Sequence, residues 1–249
     1  EETGAAGGIV WGGMQSKAGL QACANRGGIR ILKGQAGCGK TVTLNIIIKV
    51  LSELYKRQGL PFSARIIAPT GQAAQVAHRA TGLPASTIHR ALHIVVDQDT
   101  EAETSISCDC VVVDEFSMVG VNLAATLLSS IAGGTKTIIM GDFRQLPSID
   151  PGNVLRDIIE SGVLPVVTLN VVKRQGSGSG VLHNANEILA GHPIHTVKVN
   201  ESGVKDNAYI YKADDPVTAR QSIVSMVAAM GRRGYRLTDI QVLCAPRQT

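Results

Sequence analysis

Eight consecutive residues, Gly34-Gln35-Ala36-Gly37-Cys38-Gly39-Lys40-Thr41, satisfy the pattern G-x-x-x-x-G-K-[ST]. The glycines allow a loop whose amides wrap phosphates, the lysine supplies a point charge, and the threonine hydroxyl is a ligand for Mg²⁺. A second stretch, Cys110-Val111-Val112-Val113-Asp114-Glu115, ends an apolar run with two adjoining carboxylates. At the edge of a parallel sheet one carboxylate can hold the Mg²⁺ shell while its neighbour orients or deprotonates an attacking water. Asp114 is therefore expected on the metal side and Glu115 as catalytic base. Together the two stretches point to hydrolysis of a nucleoside triphosphate, which names a fuel and leaves the work open.

Such residues function only if elements hold them at one edge of a sheet. The chain alternates short β-rich runs with apolar residues at helical spacing. Ile29 to Leu32 leads into a helix over Val42, Ile46, Ile47, Val50, Leu51 and Leu54; Arg65 to Ala68 leads into Gly71 to Thr81. Cys110 to Val113, a helix over Leu123 to Ile131, the strand Thr137 to Met140 and a helix over Val154 to Ile159 continue the pattern. The alternation predicts an α/β fold, a parallel sheet with helices on both faces, with the glycine loop between strand and helix.

A second set is expected from Val163: a strand to Leu169, the Gly/Ser loop Gly176 to Gly180, and a helix from about Val181 to Ala190. A strand around Tyr209 to Tyr211 follows, then a helix capped by Asp215 with Pro216 at its first position, and a last strand over Ile240 to Cys244. The expected domains are 1–162, with a short acidic insertion at about 94–108, and 163–249 as an incomplete second unit. The chain does not open on Met and is read as a fragment of something longer.

Composition narrows the class. The 249 residues are 44% hydrophobic and 18% charged, ordinary for a folded protein. No apolar run approaches the roughly 20 residues of a membrane span, and the first residues lack the pattern of a signal peptide. A cytoplasmic protein without a membrane partner is expected. A net charge of +4 permits a polyanion as partner without requiring one. Cys23, Cys38, Cys108, Cys110 and Cys244 show neither zinc-site spacing nor a disulfide framework.

Three further stretches are not needed for hydrolysis itself. They are Ala68-Pro69-Thr70-Gly71-Gln72-Ala73-Ala74 followed by Ser86-Thr87-Ile88-His89-Arg90; Met140-Gly141-Asp142-Phe143-Arg144-Gln145-Leu146-Pro147-Ser148; and Val172-Lys173-Arg174-Gln175. In this order, with the run Pro147 to Gly162, they resemble the RecD-like helicases of superfamily 1, which move 5′ to 3′ on single-stranded DNA. The likeness covers the chain from about Ile29 to Asn186.

The resemblance implies a P-loop NTPase with a complete first RecA-like domain and a truncated second one, ATP and Mg²⁺ as cofactors, and single-stranded DNA as partner. Nuclease or recombination subunits could join it. Gly34, Gly37, Cys38, Gly39, Lys40, Thr41 and Val42 would bind the nucleotide, with Gln15, or its rival Gln21, reading adenine. Thr41 and Asp114 would hold Mg²⁺. Lys40, Glu115, Gln145 as γ-phosphate sensor and Arg174, reaching from the second domain, would be catalytic. Pro69, Thr70, Gly71, Thr87 and His89 would line the DNA, although Thr87 equally suits the N-cap of a short helix. Gln72 stands where the family usually has Arg, and Phe116 where it has a small residue. The alternatives are the helicase part of a conjugative relaxase, or a non-catalytic DNA-binding subunit that keeps the fold.

Overall fold

Six runs pair into one parallel sheet in the computed structural model: β1 (Ile29–Gly34), β2 (Ala64–Ala68), β3 (Ala85–Thr87), β4 (Cys110–Val113), β5 (Lys136–Gly141) and β6 (Val166–Leu169). Their order is β3-β2-β4-β5-β1-β6, every pairing parallel. The structure describes residues 28–35, 37–94, 105–169, 179–196 and 208–243. Gln15, Gln21 and Arg174 lie outside them, as does most of the acidic segment after His93.

The period of two along the strands distributes the apolar residues between two cores. Leu32, Ile66, Val112, Ile138 and Met140 join one cluster with Leu44, Ile47 and Leu51 of α1 (Lys40–Arg57) and Ala77 of α2 (Gly71–Thr81). Ile31, Ile67, Val111, Val113 and Ile139 join the other, with Ile88 of α3 (Ile88–Ala91), Ala124 and Leu127 of α4 (Val121–Ser130) and Leu155 of α5 (Val154–Ser161). Helices on both faces bury all four residues of β4, which is why that strand is continuously apolar. This is the parallel α/β architecture expected of a P-loop NTPase.

Two expectations about strands are corrected. Val166–Leu169 does not open a second domain: it pairs with β1, Ile31 opposite Val166 through Gly34 opposite Leu169. The first sheet is thus one strand wider than the boundary at 162 allows, and the contacts divide the chain into units 1–177 and 178–249. In the second unit α6 (Gly180–Leu189), capped by Ser179 Oγ accepting from Leu182 N–H at 3.2 Å, begins within the expected Gly/Ser loop. Its other helix, α7 (Pro216–Arg232), has Asp215 as N-cap and Pro216 first, as expected. Tyr209–Tyr211 and the described part of Ile240–Cys244 are not strands. A β-rich run becomes a strand only when a neighbour takes up its hydrogen bonds, and no ladder is formed with either run among the described residues. Nor is any described helix long and apolar enough to cross a membrane.

Candidate functional site

Because every strand of the sheet runs the same way, every strand's carboxyl end opens on one edge, and the segments singled out by chemistry follow those ends. The glycine loop follows β1, Pro69-Thr70-Gly71 follows β2, Thr87 closes β3, Asp114 and Glu115 follow β4, and Asp142 to Gln145 follows β5. With strands about 4.8 Å apart, the carboxylate pair lies roughly 10 Å along the edge from the glycine loop, and the end of β3 roughly 19 Å. Since β5 stands between β1 and β4, the Gln145 loop emerges between the phosphate cradle and the carboxylates.

The cradle is shaped by glycine chemistry. Gly37 and Gly39 have φ of 79° and 87°, the left-handed region where a side chain is strained. Gly34 needs its missing side chain for space: a Cβ there would run into Cys38 Sγ and approach Leu169 Cβ to 3.1 Å. Cys38 is buried, and burial raises its thiol above the ordinary range, so it is a packing residue of the loop. Lys40 folds back over the loop and donates from Nζ to Gly34 O at 2.7 Å and Gln35 O at 3.3 Å. No side chain caps α1, so the N–H groups of its first turn face the loop as an anion site. Thr41 and Val42 follow in that turn, Val42 with its side chain exposed.

The carboxylates sit in a different environment. Burial raises Asp114 above the ordinary carboxylate range, partly offset by the Glu115 N–H, which donates to Asp114 Oδ1 at 2.9 Å, and by Lys40. Glu115 is raised first by burial and then by the charge of Asp114; Lys40 lowers it and Asp142 raises it again. Its backbone is left-handed, φ 51° and ψ 37°, a conformation that costs a non-glycine residue roughly 1–2 kcal/mol. The strain turns the chain into the 3-10 turn Phe116–Met118, whose Met118 N–H donates to Glu115 O at 3.1 Å. Phe116 finds its room in the second core, fully buried. Thr41 and Asp114 offer a hydroxyl and a carboxylate, hard oxygen donors that suit Mg²⁺ rather than a soft metal.

The supposed DNA residues also come together. Ala68 pairs with Thr87, which brings Pro69-Thr70-Gly71 beside Thr87-Ile88-His89. Thr70 and Thr87 are both helix N-caps, accepting from Ala73 N–H and Arg90 N–H at 3.2 Å each. The capping reading of Thr87 is therefore observed. As each hydroxyl accepts from the backbone, its own proton is left for an outside acceptor. His89 is exposed.

Asp142 carries a role that the sequence reading did not give it. It is buried, 6% exposed, and its Oδ1 accepts from Arg144 N–H at 3.1 Å while its carbonyl accepts from Gln145 N–H at 3.0 Å. It shapes the turn that carries Gln145. The available signal was a carboxylate close behind the apolar run Ile138-Ile139-Met140, much as Asp114 follows Val111 to Val113.

Comparison with known proteins agrees with this geometry. A family model described as AAA domain matches residues 12–206. The chain is 32% identical over 235 residues to the RecBCD enzyme subunit RecD of Mycolicibacterium smegmatis, covering 85% of this chain and 42% of the relative. It is also 32% identical over 163 residues to the ATP-dependent RecD2 DNA helicase of Deinococcus radiodurans, covering 65% of this chain and 22% of that protein. The chain thus spans less than half the length of these curated relatives. A solved Pif1 helicase from Bacteroides shares the fold with a TM-score of 0.50 at 19% identity, over 88% of this chain and 57% of its own.

Proposed function

This chain belongs to the AAA domain family, and on that premise we propose that the whole protein is a cytoplasmic RecD-like DNA helicase, coupling ATP hydrolysis to 5′ to 3′ movement along single-stranded DNA in recombination or repair. The observation that carries the reading is the single sheet edge on which the phosphate cradle, the carboxylate pair, the Gln145 loop and the Thr70–Thr87 pair stand in sequence. Hydrolysis itself needs the first two; the Thr70–Thr87 pair, besides capping two helices, would supply the grip on a strand.

In this reading Lys40 exchanges its loop carbonyls for phosphate oxygens of ATP, and the amides opening α1 hold the same phosphates. Thr41 and Asp114 would hold Mg²⁺, which when bound neutralises charge on the β- and γ-phosphates. Glu115 orients the attacking water and accepts its proton on the carboxylate; a basicity raised by burial favours that transfer. Gln145, at the end of β5, senses the γ-phosphate. Thr70 and Thr87 offer hydroxyl protons, and His89 its ring, to the strand's phosphates without reading its sequence. Gln15 reads adenine, and Arg174 completes the charge on the transferring phosphate. The second unit, 178–249, would begin a second RecA-like domain. Partner nuclease or recombination subunits are proposed from the RecBCD membership of the relatives.

The test is ATP turnover of the full-length protein with and without a single-stranded oligonucleotide, beside Lys40→Ala. Turnover stimulated by the oligonucleotide and lost with Lys40 is expected. Turnover indifferent to both would sink the proposal; oligonucleotide binding with no turnover in the wild type would favour the non-catalytic subunit.

A further inference from the structure

Lys33 lies one residue before the glycine loop, yet the strand period turns it away from the cradle. It shares the sheet face of Ile31, the face opposite α1. There it pairs in register with Gly141, whose own Cβ side is filled by Leu155 and the Phe116–Ser117 backbone. Phe143, two residues further on, packs its ring on the second core, with Lys33 Nζ 4.4 Å from the ring centroid and Arg144 Cζ 6.0 Å from it. Lys33, Phe143, Arg144 and Thr168 line a cleft of about 230 Å³ above the ends of β1, β5 and β6. Phe143 lies in the three-residue step from Asp142 to Gln145, so whatever fixes its ring limits where Gln145 can be.

We propose that Lys33 is a positioning residue: its ammonium, held against the face of Phe143, ties the Gln145 loop to the strand that carries the phosphate cradle. A cation over an aromatic ring is attractive within about 6 Å, and the backbone bonds to Asp142 fix the turn without fixing its tilt toward β1. The cation–ring contact supplies that second constraint. The role in turnover rests on the helicase reading of Gln145; the role in loop order does not.

Two measurements on the full chain separate these. Hydrogen exchange of the Arg144 and Gln145 amides, without nucleotide, is expected to accelerate roughly three- to tenfold in Lys33→Met, the range of a lost cation–ring contact. It should return toward wild type in Lys33→Arg, which keeps the cation. In oligonucleotide-stimulated ATP hydrolysis, Lys33→Met should lower kcat by a similar factor with KM for ATP within about twofold, again restored by Lys33→Arg. Phe143→Leu should reproduce Lys33→Met, and combining the two should add nothing further. Unchanged exchange in Lys33→Met, or a Lys33→Arg variant as loose as Lys33→Met, overturns the proposal. Altered exchange beside a wild type that does not hydrolyse ATP leaves the loop contact standing and removes the helicase reading instead.

Discussion

Gly34→Ala isolates the close packing of the phosphate loop from its chemistry. Gly34 does not occupy the left-handed region, so the objection to a side chain is space alone. An added methyl meets Cys38 Sγ head on, with Leu169 Cβ at 3.1 Å and Leu169 O at 3.2 Å behind it. The thiol is 1% exposed and cannot swing into solvent, so the loop or β6 must shift. Overpacking of this kind destabilises by about 1–3 kcal/mol. For a chain of this size about 2 kcal/mol lowers Tm by roughly 4–8 °C. Cys38→Ala removes the atom in the way. In that background Gly34→Ala should cost less than about 1 kcal/mol, since the Leu169 contacts are tight but tolerable, giving a coupling of at least about 1 kcal/mol. Thermal and urea unfolding of the four proteins without nucleotide measures it directly. An equal penalty for Gly34→Ala with and without Cys38 would show that the thiol is not what excludes the methyl.

Two other perturbations test the edge and the base of the sheet. Thr70→Ala removes the acceptor for Ala73 N–H and should cost about 1 kcal/mol, as for a lost N-cap, while weakening oligonucleotide stimulation; Thr70→Ser should restore both in unfolding and turnover assays. At the opposite end, Asp109 Oδ2 accepts from Ser63 N–H at 2.7 Å and Ser63 Oγ at 2.6 Å, which holds its carboxyl below the ordinary value of 3.8. A carboxylate depressed in the folded state adds stability above its ordinary value and loses it as pH falls through the lower one. The Tm gap between wild type and Asp109→Ala should therefore be open at pH 6 and close as pH falls below about 3.8.

Much of this site could be read from residue order. The strands β1, β2, β4 and β5 stand where the short β-rich runs Ile29 to Leu32, Arg65 to Ala68, Cys110 to Val113 and Thr137 to Met140 were expected. The caps Thr87 and Asp215 follow from residue types that accept from free helix amides. β3 escaped because Ala85-Ser86-Thr87 carries no apolar pattern; pairing with β2 makes it a strand. The same dependence on partners, with opposite sign, undid Tyr209–Tyr211. The place of β6 was hidden because a run of Val, Thr and Leu suits any sheet, and only register with β1 assigns it. Nothing local foretells the left-handed backbone of Glu115 or the meeting of Lys33 with Phe143, since both arise where separate segments pack at the sheet edge.

The grip of Lys40 on Gly34 O and Gln35 O bears on how the cradle tells one nucleotide from another. Among the described residues its acceptors are neutral carbonyls, so an arriving phosphate has no ion pair there to break, and the exchange gives the ammonium an anionic acceptor in place of a neutral one. Tri- and diphosphate offer that gain alike. On the proposed reading Lys40 would therefore set how tightly phosphate is held and say little about how many phosphates there are. In the proposed mechanism discrimination between fuel and spent product would fall to the neighbours further along the edge, the strained Glu115 and the Gln145 loop, and a product still gripped by the lysine would leave against the same attraction that brought the fuel in.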